Sequence, residues 1–135
     1  MKTHWIRISM LAALAAGLVQ AQSAKLTADV PFQFVVNNQT LPAGPYHVDV
    51  FTNISVVKIQ PEDGRPIALM ANNTSSWDPQ KVSKLVFHRY GNRYFLAEIW
   101  TRGSDSGRQI APTNLERELK AQKSMPRSQV LVAMR

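Results

Sequence analysis

Leu85-Val86-Phe87-His88-Arg89-Tyr90-Gly91-Asn92-Arg93-Tyr94-Phe95-Leu96-Ala97-Glu98-Ile99-Trp100 is the stretch that decides the fold. Two runs rich in β-branched and aromatic residues flank Gly91-Asn92. Glycine at the first central position of a two-residue loop suits a type II′ hairpin turn, because that position needs φ > 0. A regular register then sets Tyr90 opposite Arg93, His88 opposite Phe95 and Val86 opposite Ala97. On the other face Arg89 meets Tyr94, Phe87 meets Leu96 and Leu85 meets Glu98. Both faces are largely apolar, so the hairpin is expected at the centre, covered on each side by sheet, helix or loop.

Toward the N-terminus, short β-type runs alternate with turn signals. Leu26 to Val30 and Phe32 to Val36 form one stretch, interrupted by Pro31, which implies an edge position or a bulge. Asn37 to Thr40 reads as a loop, and Leu41-Pro42-Ala43-Gly44 fits a type I turn. Tyr46, Val48 and Val50 then alternate with His47, Asp49 and Phe51, the period of a half-buried strand. Ile54 to Gln60 and Ile67 to Ala71 flank the reversal Pro61-Glu62-Asp63-Gly64. Asn72 to Gln80 is polar and reads as a surface loop, with Trp77 expected as a lid over the core rather than an exposed anchor.

Beyond the hairpin, Arg102 to Arg108 reads as a flexible loop. One helix is expected from about Asn114 to Lys123. Thr113 and Glu116 make a capping box, acids stand in the first turn and lysines in the last, and Met125-Pro126 ends it. Leu115 and Leu119 supply one apolar stripe. Ser128 to Met134 alternates again and is expected to close the sheet. The expectation is a mainly β domain, an antiparallel β-sandwich or small β-barrel of about seven or eight strands, with one α-helix near the C-terminus. The helix is expected to plug an open end or lie against one sheet.

Residues 1–21 read as a cleavable secretory signal. Lys2 and Arg7 give a positive start, Ile8 to Val19 is an apolar run too short for a bilayer core of about 30 Å, and Val19-Gln20-Ala21 offers a small-residue exit. Residues 22–135 are then a single domain, secreted or periplasmic, with no transmembrane segment after signal removal. The full chain carries a formal +7, of which Lys2 and Arg7 contribute two, leaving +5 for residues 22–135. With no cysteine in the chain, disulfides, thiol catalysis, thiolate metal sites and a lipoprotein anchor are excluded. The basic residues are scattered rather than blocked, which argues against nucleic acid and allows weak attraction to an anionic envelope polymer.

Chemistry-bearing residues are few. His47 and His88 are far apart in sequence, would need Asp49 or another carboxylate to make a metal site, and read better as packing or surface residues, so no metal is expected. Phosphate-loop, dinucleotide and Gly-x-Ser-x-Gly signatures are absent, and no cofactor is expected. Glu98 lies in an apolar run on the expected face of Arg89 and Tyr94. A buried carboxylate needs a partner, and Arg89 is the candidate, either as a structural ion pair or as part of a ligand cavity. The candidate ligand-binding set is Glu98, Arg89, Tyr94, His88 and Trp100.

Pro31 to Val36, Leu41-Pro42-Ala43-Gly44-Pro45-Tyr46-His47-Val48 and Lys84 to Leu96 together resemble a family of small secreted bacterial proteins, found mainly in acidobacterial genomes. The helix around Glu116-Arg117-Glu118-Leu119 falls where those proteins place an acidic-basic helix. The resemblance implies an envelope or extracellular location and no particular activity. It also makes the sequons at Asn38, Asn53 and Asn72 chance matches. Three readings follow: a non-enzymatic binding module for a small ligand or envelope polymer, an assembly subunit pairing through the edges of its first stretch and last strand, and a hydrolase-type enzyme using Glu98, Arg89 and His88.

Overall fold

The computed structural model describes residues 23–122 and 126–135. The export signal expected over residues 1–21 lies outside the described residues, as do Lys123 and Met125 at the expected helix end. The chain is mainly β. Its strands are β1 (Ser23–Val30), β2 (Phe34–Val36), β3 (Gln39–Leu41), β4 (Gly44–Phe51), β5 (Val56–Pro61), β6 (Ile67–Ser75), β7 (Lys84–Tyr90), β8 (Arg93–Trp100) and β9 (Ser106–Ile110). Helix α1 (Asn114–Ala121) and strand β10 (Arg127–Ala133) follow. Among the described residues no helix is long and apolar enough to cross a membrane.

The strands form one mixed sheet in which β1, β4, β5, β6, β9 and β8 are neighbours in that order. From β8 the sheet continues on one side through β7 to β10, while β2 and its partner β3 join β8 near Phe95. The expected seven or eight strands are therefore ten, and the sheet is not wholly antiparallel, because β2 runs parallel to β8 with Val35 opposite Phe95. Two local causes explain the count. Asn37 and Asn38, at φ 46° and 61°, make a two-residue turn with both centres left-handed, so the expected loop is a β2–β3 hairpin. Ser106 to Arg108, expected as the end of a flexible loop, instead extend with Gln109 and Ile110 as β9, which pairs on both sides.

The ends of the sheet meet at one isolated bridge, Ala28 opposite Met134. Thr27 N donates to Arg135 O at 2.9 Å and Arg135 N to Thr27 O at 3.0 Å. No continuous ladder joins β1 to β10, so the sheet is not closed into a barrel. The Phe-Val run expected as an open edge is β2, which is paired on both sides.

Period-two patterning builds the core. Val48 faces Leu26 on β1 and Ile59 on β5, and Val57 faces Leu69 on β6, so each strand delivers its alternate apolar residues to the same side. They meet Phe34, Leu85, Phe87, Ile99 and Val132 from the other half of the sheet in one buried cluster. Phe34 packs edge-on against Tyr46 and Phe87, with ring centroids 5.1 and 5.3 Å apart.

The central hairpin turns at Gly91, whose φ is 60°. Its register runs as expected from Tyr90–Arg93 to Phe87–Leu96 and then slips. Ala97 bulges, and Glu98 comes opposite Val86 instead of Leu85. One face of the hairpin joins the main core, and the other is covered by α1, whose Leu119 packs with Tyr90, Phe95 and Val35.

Thr113 caps α1 by accepting from Glu116 N at 3.2 Å. The expected Leu115–Leu119 stripe is not formed. Leu119 is buried beside Glu116, a spacing of three, while Leu115 is exposed.

Candidate functional site

The expected set does not converge. Glu98 accepts from Trp100 Nε1 at 3.0 Å. Arg89 donates to the Gly91 carbonyl at 2.8 Å and lies 5.4 Å from the centre of the Tyr94 ring, which stacks on Phe32 at 3.9 Å. No Glu98–Arg89 ion pair is formed among the described residues. The cause is the Ala97 bulge: one extra residue puts Glu98 on the face of Val86, whereas Arg89 stays on the face of Phe87. Trp100 is buried and lies over Gly107, directly across the β8–β9 ladder. A Cβ at Gly107 would stand 2.6 Å from that ring, so the approach requires glycine.

His88 takes part in a different polar cluster. Its Nδ1 is 2.8 Å from Oε1 of Glu116, and the Tyr90 hydroxyl donates to the same oxygen at 3.3 Å. Burial pushes the Tyr90 phenol above its ordinary range, the Glu116 charge pushes it further, and Arg127 across the β7–β10 ladder opposes them. Glu116 is 4% exposed, a buried carboxylate satisfied by two side chains. The expected capping box is thus only half formed: the Thr113 bond is made, but the Glu116 carboxylate turns into the sheet. His47 is exposed on β4, and Asp49 is engaged by Lys58 at 3.1 Å. Among the described residues no three His, Asp or Glu side chains gather into a metal site.

A different set of polar residues gathers at one end of the sheet. An open groove of about 520 Å³ lies where β1 and β9 begin and β4, β6 and β8 end. Ala24, Val50 and Ile99 form its apolar part, and Thr52, Asn73, Ser75, Thr101, Ser104 and Ser106 supply hydroxyls and an amide. Arg108 is the one charged lining residue among the described residues. It faces Asn73 on β6 and Ile99 on β8, so its side chain shares the inner face with the core residue Ile99.

Arg108 is 7% exposed and gives one N–H to the Phe51 carbonyl. It is in none of the ion pairs among the described residues. Trp77, expected as a lid over the core, is instead fully exposed, on the segment that follows the groove residue Ser75. Asn72 to Ser75, expected as loop, is the end of β6 and forms one groove wall.

Arg108 was missed because Arg102 to Arg108 is polar and holds two glycines. The usable signal was the alternation Arg108-Gln109-Ile110, which puts Arg108 on the same face as a core residue. No protein-family model, curated protein or solved structure matches the chain.

Proposed function

We propose that this protein is an exported, non-enzymatic binding module that holds a small anionic ligand in the end groove through Arg108. The observation that carries the reading is a buried guanidinium that has no carboxylate partner among the described residues and lines an open groove. Burying an isolated cation is costly unless a counter-charge or hydrogen bonds offset it. The Phe51 carbonyl occupies one of five guanidinium donors. A carboxylate or phosphate in the groove would supply the missing charge and accept in the fork geometry that arginine favours. The volume lies in the range of small-ligand sites, about 300–1,000 Å³. The export signal and the lack of any expected catalytic signature support a carrier or sensor role over catalysis. The His88–Glu116–Tyr90 cluster lies beneath α1 and not in this groove, so it supports a structural task.

The test is a calorimetric and thermal-shift screen of organic carboxylates and phosphates, each paired with its neutral amide or alcohol. At least one anion should raise the melting temperature where its neutral isostere does not, and Arg108→Lys should weaken it by about tenfold through loss of the bidentate fork. Equal responses to charged and neutral partners would refute the reading.

A further inference from the structure

We infer that the ligand is an acidic saccharide: a carboxylated sugar fills the groove against Arg108, and Trp77 stacks on the next sugar of the same chain. This rests on the anion-binding reading and adds the ligand class. Three observations point to it. The groove's polar lining is hydroxyl and amide groups from several strands and the loops that leave them, the set that exchanges hydrogen bonds with a ring of hydroxyls. Its one charge among the described residues, Arg108, matches one carboxylate per bound unit. Its apolar part is the half-buried Ala24, backed by the buried Val50 and Ile99, and offers a small patch to the C–H face of a sugar ring.

Trp77 supplies the second contact. Trp77 is fully exposed, and its indole offers a large flat apolar face on which a sugar ring can stack. Its segment is stapled to the groove wall. Ser76 N donates to Asp105 O at 2.7 Å, Gln80 N to Ser104 O at 3.0 Å, and Gly103 N to Gln80 O at 2.8 Å. Ser75, just before this segment, and Ser104 and Ser106, on either side of Asp105, line the groove. The segment that carries Trp77 is therefore held against the groove wall by backbone bonds, and a ligand longer than one sugar that leaves the groove on this side would meet it.

The experiment titrates the exported protein by calorimetry with glucuronic acid, a glucuronate-containing oligosaccharide, the matching neutral glucose oligomer, and benzoate. The acidic oligomer should bind most tightly and the neutral one at least tenfold more weakly. Trp77→Ala should weaken the acidic oligomer about five- to tenfold and leave glucuronic acid unchanged. Arg108→Gln should abolish both. It also removes the bond to Phe51, so Trp77→Ala, at an exposed position, carries the test on folded protein. Benzoate binding as tightly as the uronates, or a Trp77→Ala variant that binds the oligomer normally, overturns the saccharide class and leaves the anion site standing. If no acid in this set or in the screen of carboxylates and phosphates binds, both readings fall.

Discussion

Glu116 of α1 and His88 of β7 stand 2.8 Å apart, Oε1 to Nδ1, and this contact ties the helix to the outer face of the sheet. It is nearly enclosed, with side-chain exposures of 6% and 15%. Removing one partner strands the other in a dry site. Glu116→Ala should therefore destabilise the fold by about 2 kcal/mol or more, because His88 and Tyr90 both lose their acceptor. His88→Ala should cost less, since Tyr90 still serves the carboxylate. A urea-denaturation double-mutant cycle measures the pair, and additive losses would show that the contact contributes nothing.

The helix start depends on Thr113. Its hydroxyl is the acceptor recorded for Glu116 N, at 3.2 Å. Thr113→Ala should cost about 1 kcal/mol, read as a lower urea midpoint, while Thr113→Ser should be near neutral. A loss of equal size in both variants would show that the methyl group, not the cap, carries the effect.

Gly107 admits the Trp100 ring. Ring atoms would stand 2.6, 2.7 and 2.9 Å from an added Cβ, so Gly107→Ala must displace the indole and break its bond to Glu98. A loss of about 1–3 kcal/mol is expected, with a shift in Trp100 fluorescence. A shifted emission with unchanged stability would mean that the ring moves aside without strain.

Alkaline pH should weaken the protein. Burial raises the Tyr46 phenol, and burial together with Glu116 raises Tyr90, above the ordinary value of 10.0. A phenol with a raised folded pKa binds its proton more tightly in the folded state. Its contribution is complete below pH 10 and is lost as pH climbs from there through the folded value. The urea midpoint should start to fall above about pH 10, and Tyr90→Phe should remove part of that fall. A variant that weakens just as steeply would place the cause elsewhere.

Much of the local structure was legible. The Gly91-Asn92 turn follows from a glycine with φ of 60°, the Thr113 cap from its hydroxyl, and the alternation of Tyr46, Val48 and Val50 from the pleat. Asn37-Asn38 was legible in principle, since asparagine tolerates the left-handed region that a two-residue turn demands. The candidate site was not. The expected register placed Glu98 beside Arg89, and one bulged residue, Ala97, undid it. Nothing in Phe95-Leu96-Ala97-Glu98 marks which residue will be skipped, because several apolar residues in sequence satisfy either face.

By itself, then, the sequence determined which segments extend, where the chain turns tightly and where its helix starts, because these depend on neighbours a few residues apart. Only the tertiary structure decided that Arg108 faces inward. That position follows from β9 pairing with β6 on one side and β8 on the other, and the β6 contact joins Asn73 to Arg108 across the whole central hairpin. No local signal encodes a pairing of that range, so the groove and the Arg108 side chain buried in it exist only once the sheet has assembled.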